Sequence, residues 1–223
     1  MCFSATASLT AGTFLLGVGV VTTRMSRTDG ELAYAAIPLL FAVQQLTEGV
    51  VWLSFGWDRP LITAAATQVY SFFSHVLWPV YVPIAAWLLE TDPRRRRMLA
   101  VVAAAGFAVA AYLLYTMFAY PIVAMPVGGH IEYVSPHFYI AASMGFYLLA
   151  TTISLMLTTQ RWVKVFGTLA FLAAVVAYLL YARWFISVWC FFAAILSVTV
   201  LMHLWAQSAG GAQARGTRRA RYG

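Results

Sequence analysis

The chain has 223 residues, of which 62% are hydrophobic and only 9% charged, with a formal net charge of +7. Soluble domains carry about 25% charged residues, and no polar stretch here is long enough to enclose a core of its own, so a separate water-soluble domain is excluded. Nucleic acid is excluded as a partner too, because the basic residues sit in short gaps beside apolar segments and in the tail, where they set membrane topology.

In chain order, seven segments reach the length of about 20 residues that a bilayer crossing needs. They lie near 4–23, 33–56, 62–89, 98–120, 137–159, 162–182 and 185–206. The N-terminus has no basic region, so the first segment reads as mature structure and not as a cleaved signal peptide. The first gap holds Arg24 and Arg27, and the second is the tight turn Trp57-Asp58-Arg59-Pro60. The third is Asp92-Pro93-Arg94-Arg95-Arg96-Arg97, and the fourth, from Pro121 to Pro136, is the longest and contains no Lys or Arg. The fifth holds Arg161 and Lys164, the sixth Arg183, and the tail Arg215, Arg218, Arg219 and Arg221. Alternate gaps place twelve basic residues on one side and two on the other. Basic residues stay cytoplasmic. The expected fold is therefore all-α, a polytopic seven-transmembrane-helix bundle over 1–207 with its N-terminus outside and its C-terminus cytoplasmic. The Gly-, Ala- and Arg-rich stretch 208–223 is expected to be a disordered basic tail. Pro38, Pro79 and Pro83 are expected to kink their helices.

The second and third segments carry the chemistry. Phe41 to Trp52 places Gln44, Gln45 and Glu48 inside a span, where a carboxylate costs about 2.5–3.5 kcal/mol on insertion scales. The next span carries Gln68, Ser71 and His75 at i, i+3 and i+7, one face of a regular helix. Two helices joined by so short a turn are neighbours. Depth at about 1.5 Å per residue then puts Glu48 beside Gln68 and Ser71, and Gln44 or Gln45 beside His75, in the outer half. Tyr139, Ser143, Tyr147 and Thr151 form a further stripe at steps of four. The candidate catalytic residues are thus Glu48, His75 and Ser71, with Gln44, Gln45, Gln68, Trp52, Ser143 and Tyr147 as ligand-binding residues. A carboxyl with an imidazole can hold Zn²⁺, relay protons or act as acid and base. Cys2, with a free amine if Met1 is removed, joins Glu48 and His75 as a candidate metal ligand, or pairs with Cys190. Each feature has a plainer alternative: Glu48 as a helix fastener, His75 as a hydrogen-bonded core histidine, Cys2 as an inert thiol. The only lysine, Lys164, lies at the cytoplasmic boundary, so no retinal Schiff base can form within a span. Haem is disfavoured because His75 and His203 differ in depth by roughly 7–8 Å. No Walker, GxSxG or CxxC motif is present.

The opening Met1-Cys2-Phe3-Ser4-Ala5-Thr6-Ala7-Ser8, with Ala36-Ile37-Pro38-Leu39-Leu40-Phe41 and Gln44-Gln45-x-x-Glu48-Gly49-x-x-Trp52, resembles a family of bacterial membrane proteins of unknown function that share the Met-Cys-Phe-Ser-Ala start. The resemblance spans nearly the whole chain and implies the bacterial inner membrane. Ser71-x-x-x-His75 is similar to an element of the seven-helix zinc hydrolase superfamily that includes alkaline ceramidases and adiponectin-type receptors, which would imply zinc. That superfamily's paired histidines on the last helix have no counterpart here, where His203 stands alone.

Three readings follow. The preferred one is an outward-facing intramembrane site at Glu48 and His75 that binds a metal ion or a small polar or lipidic ligand, and in an enzymatic version hydrolyses an ester or amide with a metal-bound water. The second is a proton-coupled carrier using Glu48. The third is a non-catalytic accessory subunit or receptor-like binder. The expected partners are membrane lipids and a small molecule or ion, with a homo-oligomer or a larger membrane complex left open.

Overall fold

The computed structural model describes residues 4–57 and 59–208. Cys2 and the tail beyond Ser208 lie outside them, and with them the expectations for a Cys2 metal ligand, a Cys2–Cys190 bridge and a disordered tail. The first helix, α1 (Ala5–Met25), starts where the Ser4 hydroxyl accepts the Ala7 N–H at 3.2 Å. Two short helical pieces follow with barely a break, α2 (Asp29–Ala35) and α3 (Ile37–Ser54). The break falls at Ala36, immediately before the Ile37-Pro38 start of α3, where proline is tolerated because its missing N–H lies in the first turn. α1 and α3 pack closely. A Cβ on Gly19 would stand 2.6 Å from the Leu39 backbone nitrogen, so only glycine permits the approach.

The third helical stretch runs from Pro60 to Leu89 in three pieces: α4 (Pro60–Ser71), a π-helical segment (Phe72–Leu77) and α5 (Trp78–Leu89). Two prolines explain what surrounds the π-helical turn. The Trp78 N–H bonds back five residues to the Phe73 carbonyl, and Pro79, next in line, has no N–H for Ser74. The orphan Ser74 carbonyl takes the Tyr147 hydroxyl instead. Pro83 likewise leaves the Pro79 carbonyl without its helical donor, and that carbonyl faces Gly106, where a Cβ would come within 2.0 Å.

Helix α6 (Pro93–Ala119) opens with the Asp92 carboxylate accepting the Arg95 N–H at 2.9 Å. A hairpin follows, β1 (Val123–Val127) and β2 (His130–Val134), antiparallel with Val127 opposite His130. Its two-residue turn is Gly128-Gly129, at φ +59° and +77°, a conformation that glycine adopts without strain. Pro126 sits opposite Ile131, a non-hydrogen-bonded pair, so its missing N–H costs the ladder nothing. The all-α expectation thus acquires one small sheet, where the sequence reading left a loop.

α7 (Ala141–Leu148), a second π-helical segment (Leu149–Ile153) and α8 (Ser154–Met156) form one short apolar rod. The remaining helical stretch, Arg161–Ser208, comprises α9 (Arg161–Tyr181), a 3₁₀ turn (Ala182–Trp184) and α10 (Phe185–Leu196) with its continuation to Ser208. It doubles back at the 3₁₀ turn. The Trp189 indole donates to the Ala170 carbonyl at 3.0 Å, whereas nineteen residues of straight helix would separate them by about 28 Å.

Among the described residues, five helical stretches are long and apolar enough to cross a membrane. Outward-facing Leu61, Phe118 and Leu179 are 84%, 81% and 75% exposed, a surface suited to lipid. The chain is a helical membrane protein.

Candidate functional site

Glu48 lies on α3 about 9 Å before the helix ends at Ser54, and it is fully buried. Both carboxyl oxygens are engaged by hydroxyls from other helices. Ser187, on α10, donates to Oε1 at 2.6 Å, and Ser8, on α1, donates to Oε2 at 3.3 Å. The Tyr70 side chain, on α4, approaches the same carboxyl. The acid therefore gathers α1, α4 and α10 around α3. Among the described residues no basic side chain contacts it, and the one ion pair they form, Glu132–Arg183, lies elsewhere.

One turn along α10 from Ser187, the buried Cys190 thiol is also reached by Tyr70 and by the Gln44 side chain. Gln44 Oε1 in turn accepts the Trp78 indole N–H at 2.7 Å, and Trp78 stacks on Phe41 with ring centroids 3.9 Å apart. Cys190 lines a cavity of about 30 Å³ together with Phe41, Trp78, Tyr147 and Trp189. The volume suits about one water molecule, but the walls are apolar. Gln45 is fully buried, and among the described residues neither its amide oxygen nor its amide nitrogen has a partner. The Ser71 and Thr67 hydroxyls are in the same condition. Buried groups of this kind normally find water, an ion or a ligand.

His75 belongs to a second cluster. It lies in the π-helical segment, fully buried, with Nδ1 2.8 Å from the Ser74 hydroxyl and Nε2 2.9 Å from the Ser135 hydroxyl just after β2. Phe138 packs on the ring. No hydrogen bond joins Glu48 to His75, and they share no hydrogen-bond partner. The sequence expectation that Gln68 approaches Glu48 gives way to a different contact, in which Gln68 Nε2 donates to the Ile122 carbonyl at the foot of the hairpin at 2.9 Å. Tyr147 is buried with its hydroxyl on the Ser74 carbonyl. Ser143 faces a lateral groove between α6 and α7, and the Trp52 indole N–H is buried without a partner.

Zinc demands three or four converging protein ligands. Among the described residues, no three His, Cys, Asp or Glu side chains form such a group. Glu48 and His75 are each engaged by serine hydroxyls, the third expected ligand, Cys2, lies outside the described residues, and no chemical step is assigned to a metal.

Sequence reasoning missed Ser8, Tyr70, Ser74, Ser135 and Ser187. Ser8 was on the page as the last residue of the N-terminal motif, and Ser187 shares a face with Cys190 at i, i+3. Nothing in the sequence joins either to an acid 40 or 139 positions away.

The hairpin packs against the Tyr70 side of the Glu48 cluster. Tyr133, 2% exposed, stacks on Tyr70 with centroids 4.4 Å apart and planes 8° from parallel. Glu132 accepts both Nε and Nη2 of Arg183 at 2.8 Å. His130 packs on Trp184, centroid to centroid 4.7 Å, and burial there lowers its pKa below the ordinary histidine value.

With this geometry in view, comparison with known proteins places the chain in a family. It belongs to a family of unknown function (DUF6629), whose profile matches residues 1–216. No curated protein and no solved structure matches it.

Proposed function

We propose that the protein crosses the bacterial cytoplasmic membrane seven times, with its N-terminus outside, and that it is a proton-coupled carrier for a small polar solute in which Glu48 is the exchanging acid. The seven-span reading draws on the five long helical stretches, on the reversal that divides the last of them in two, and on the apolar rod 141–156. The orientation draws on the unequal distribution of Lys and Arg.

The observation that carries the functional reading is the character of the partners of Glu48. An ionised carboxylate within a span requires a compensating cation, and no described side chain supplies one. In this reading neutrality comes from solution, as a proton or as a bound cation. Hydroxyl partners suit such exchange, because each can donate to a carboxylate and, after rotating, accept from a carboxylic acid. Ser8, Ser187 and Tyr70 can therefore follow either state without leaving a buried group unpaired. The unpartnered Gln45 amide on the same helix, one turn from Glu48, offers a donor and an acceptor to a polar solute.

Infrared difference spectroscopy of the purified protein in lipid, titrated between about pH 4 and pH 9, tests this, since ionisation removes the carbonyl stretch of a protonated carboxyl. The wild type should lose such a band, and Glu48→Gln should not show that loss. Identical difference spectra for the two proteins would remove Glu48 from the proposal.

A further inference from the structure

The geometry points to the β1–β2 hairpin as a hinged lid that controls access to the Glu48 site from the outer face. The inference rests on the reading of Glu48 as an exchanging group, which needs an intermittent path to water. In the closed arrangement Glu48, Cys190 and Tyr70 are all buried, with the hairpin's Tyr133 laid flat on Tyr70. Tyr70 is the shared element. One end of its side chain reaches the carboxyl and the thiol, and its ring face carries the lid.

The hairpin is held by polar ties and by Ala124, Ile131 and Tyr133, which join the same buried cluster as the bundle helices. Its middle is tied by the Glu132–Arg183 pair to the 3₁₀ turn between α9 and α10, and its flanks by Gln68 to the Ile122 carbonyl and Ser135 to His75. Gly128 at the turn lies against Trp184. Only Ile131, Tyr133 and Ala124 of the two strands are buried, while Val123, Met125 and Val134 are exposed. A two-stranded hairpin has little stability of its own, so it stays down through these few ties. The Arg183 side chain is 57% exposed, and the ion pair can open without disturbing a core.

Cys190 is a native reporter for the lid. Purified full-length protein in detergent is treated with methyl methanethiosulfonate, and modification of Cys190 over time is followed by peptide mass spectrometry, which keeps Cys2 separate. Glu132→Gln and Arg183→Gln should each speed modification by about threefold to fivefold, the range an exposed ion pair supports. Tyr133→Ala should speed it by more than about tenfold, and the charge-swapped double variant Glu132→Arg/Arg183→Glu should return it toward the parent rate. If the ion-pair variants modify Cys190 at the parent rate, or the swap fails to restore a slow rate, the lid is refuted. The charge-pair variants decide the matter even if Tyr133→Ala does not fold. Because the readout involves no proton, failure of the lid leaves Glu48 exchange standing.

Discussion

Replacing Glu90 tests how the end of the bundle opposite the lid is held. Glu90 follows α5 and is 1% exposed, yet it lies outside the helical spans. Its Oε1 accepts the N–H groups of Thr91 and Asp92, each at 2.8 Å, and the Thr159 hydroxyl at 3.0 Å. Its Oε2 accepts the Thr159 N–H at 2.5 Å. One carboxylate thereby fastens the α5–α6 turn to the loop before α9. Burial is the largest single influence on this group and pushes its pKa up, but the four donors outweigh burial and hold it below the ordinary carboxylate value. A hydrogen bond to a charged group contributes about 1.5–3 kcal/mol, and four on one carboxylate are not additive, so Glu90→Gln should cost about 2–4 kcal/mol. For a chain of this size that is a fall in Tm of roughly 5–15 °C, measured by thermal unfolding of the purified protein in detergent at pH 7. The sign of the pH dependence follows from the lowered pKa. The stabilisation is complete above the unfolded value, near 4.3, and is lost as pH falls through the folded value. The difference between wild type and Glu90→Gln should therefore shrink toward about pH 3. A variant within about 2 °C of wild type at pH 7, or a difference that grows on acidification, would refute the reasoning.

Two further outcomes follow from the packing and from the acid site. Gly106→Val places a side chain where a Cβ already meets the Pro79 carbonyl at 2.0 Å, so it should lower stability by at least about 1–3 kcal/mol and reduce the yield of monodisperse protein on size-exclusion chromatography. Glu48→Ala strands the Ser8 and Ser187 hydroxyls and should lower Tm markedly, whereas Glu48→Gln, which keeps an acceptor oxygen and the same shape, should melt within a few degrees of wild type; a loss in Glu48→Gln as large as that in Glu48→Ala would refute this.

The long apolar helices were legible because their signal is local. About 20 apolar residues punctuated by Arg mark a helix wherever it packs, and even the least obvious boundary, at Arg183, falls on the 3₁₀ turn Ala182–Trp184. The hairpin was also written in the sequence, as Gly128-Gly129 between runs of alternating burial, but Pro126 and the length of the segment favoured a loop. The pairing of Glu48 with His75 illustrates a different limit. A rise per residue gives depth, but it does not give direction around the helix. Gln68, Ser71 and His75 share a face only if the helix between them is regular, and the π-helical turn that begins at Phe72 inserts an extra residue per turn and rotates everything beyond it. His75 consequently swings to Ser135 beneath the hairpin, and Glu48 meets α1 and α10, whose contributions are set by tertiary packing across 40 and 139 residues.

Two buried glutamates in one chain clarify what each does. Glu90 is held by three backbone N–H groups and one hydroxyl. An amide N–H can only donate, so protonating Glu90 would set a carboxylic O–H among donors with at most one group free to accept, and the arrangement favours a permanently ionised fastener. Among the described residues, the hydrogen-bond partners of Glu48 are hydroxyls and include no backbone N–H. A span that needed only a fastener would be served by an amide or an apolar contact, without the cost of a carboxyl in hydrocarbon. Ser8, Ser187 and Tyr70 around an acid make sense when the acid has two states to accommodate. That contrast is the physical ground for assigning exchange to Glu48 and support to Glu90.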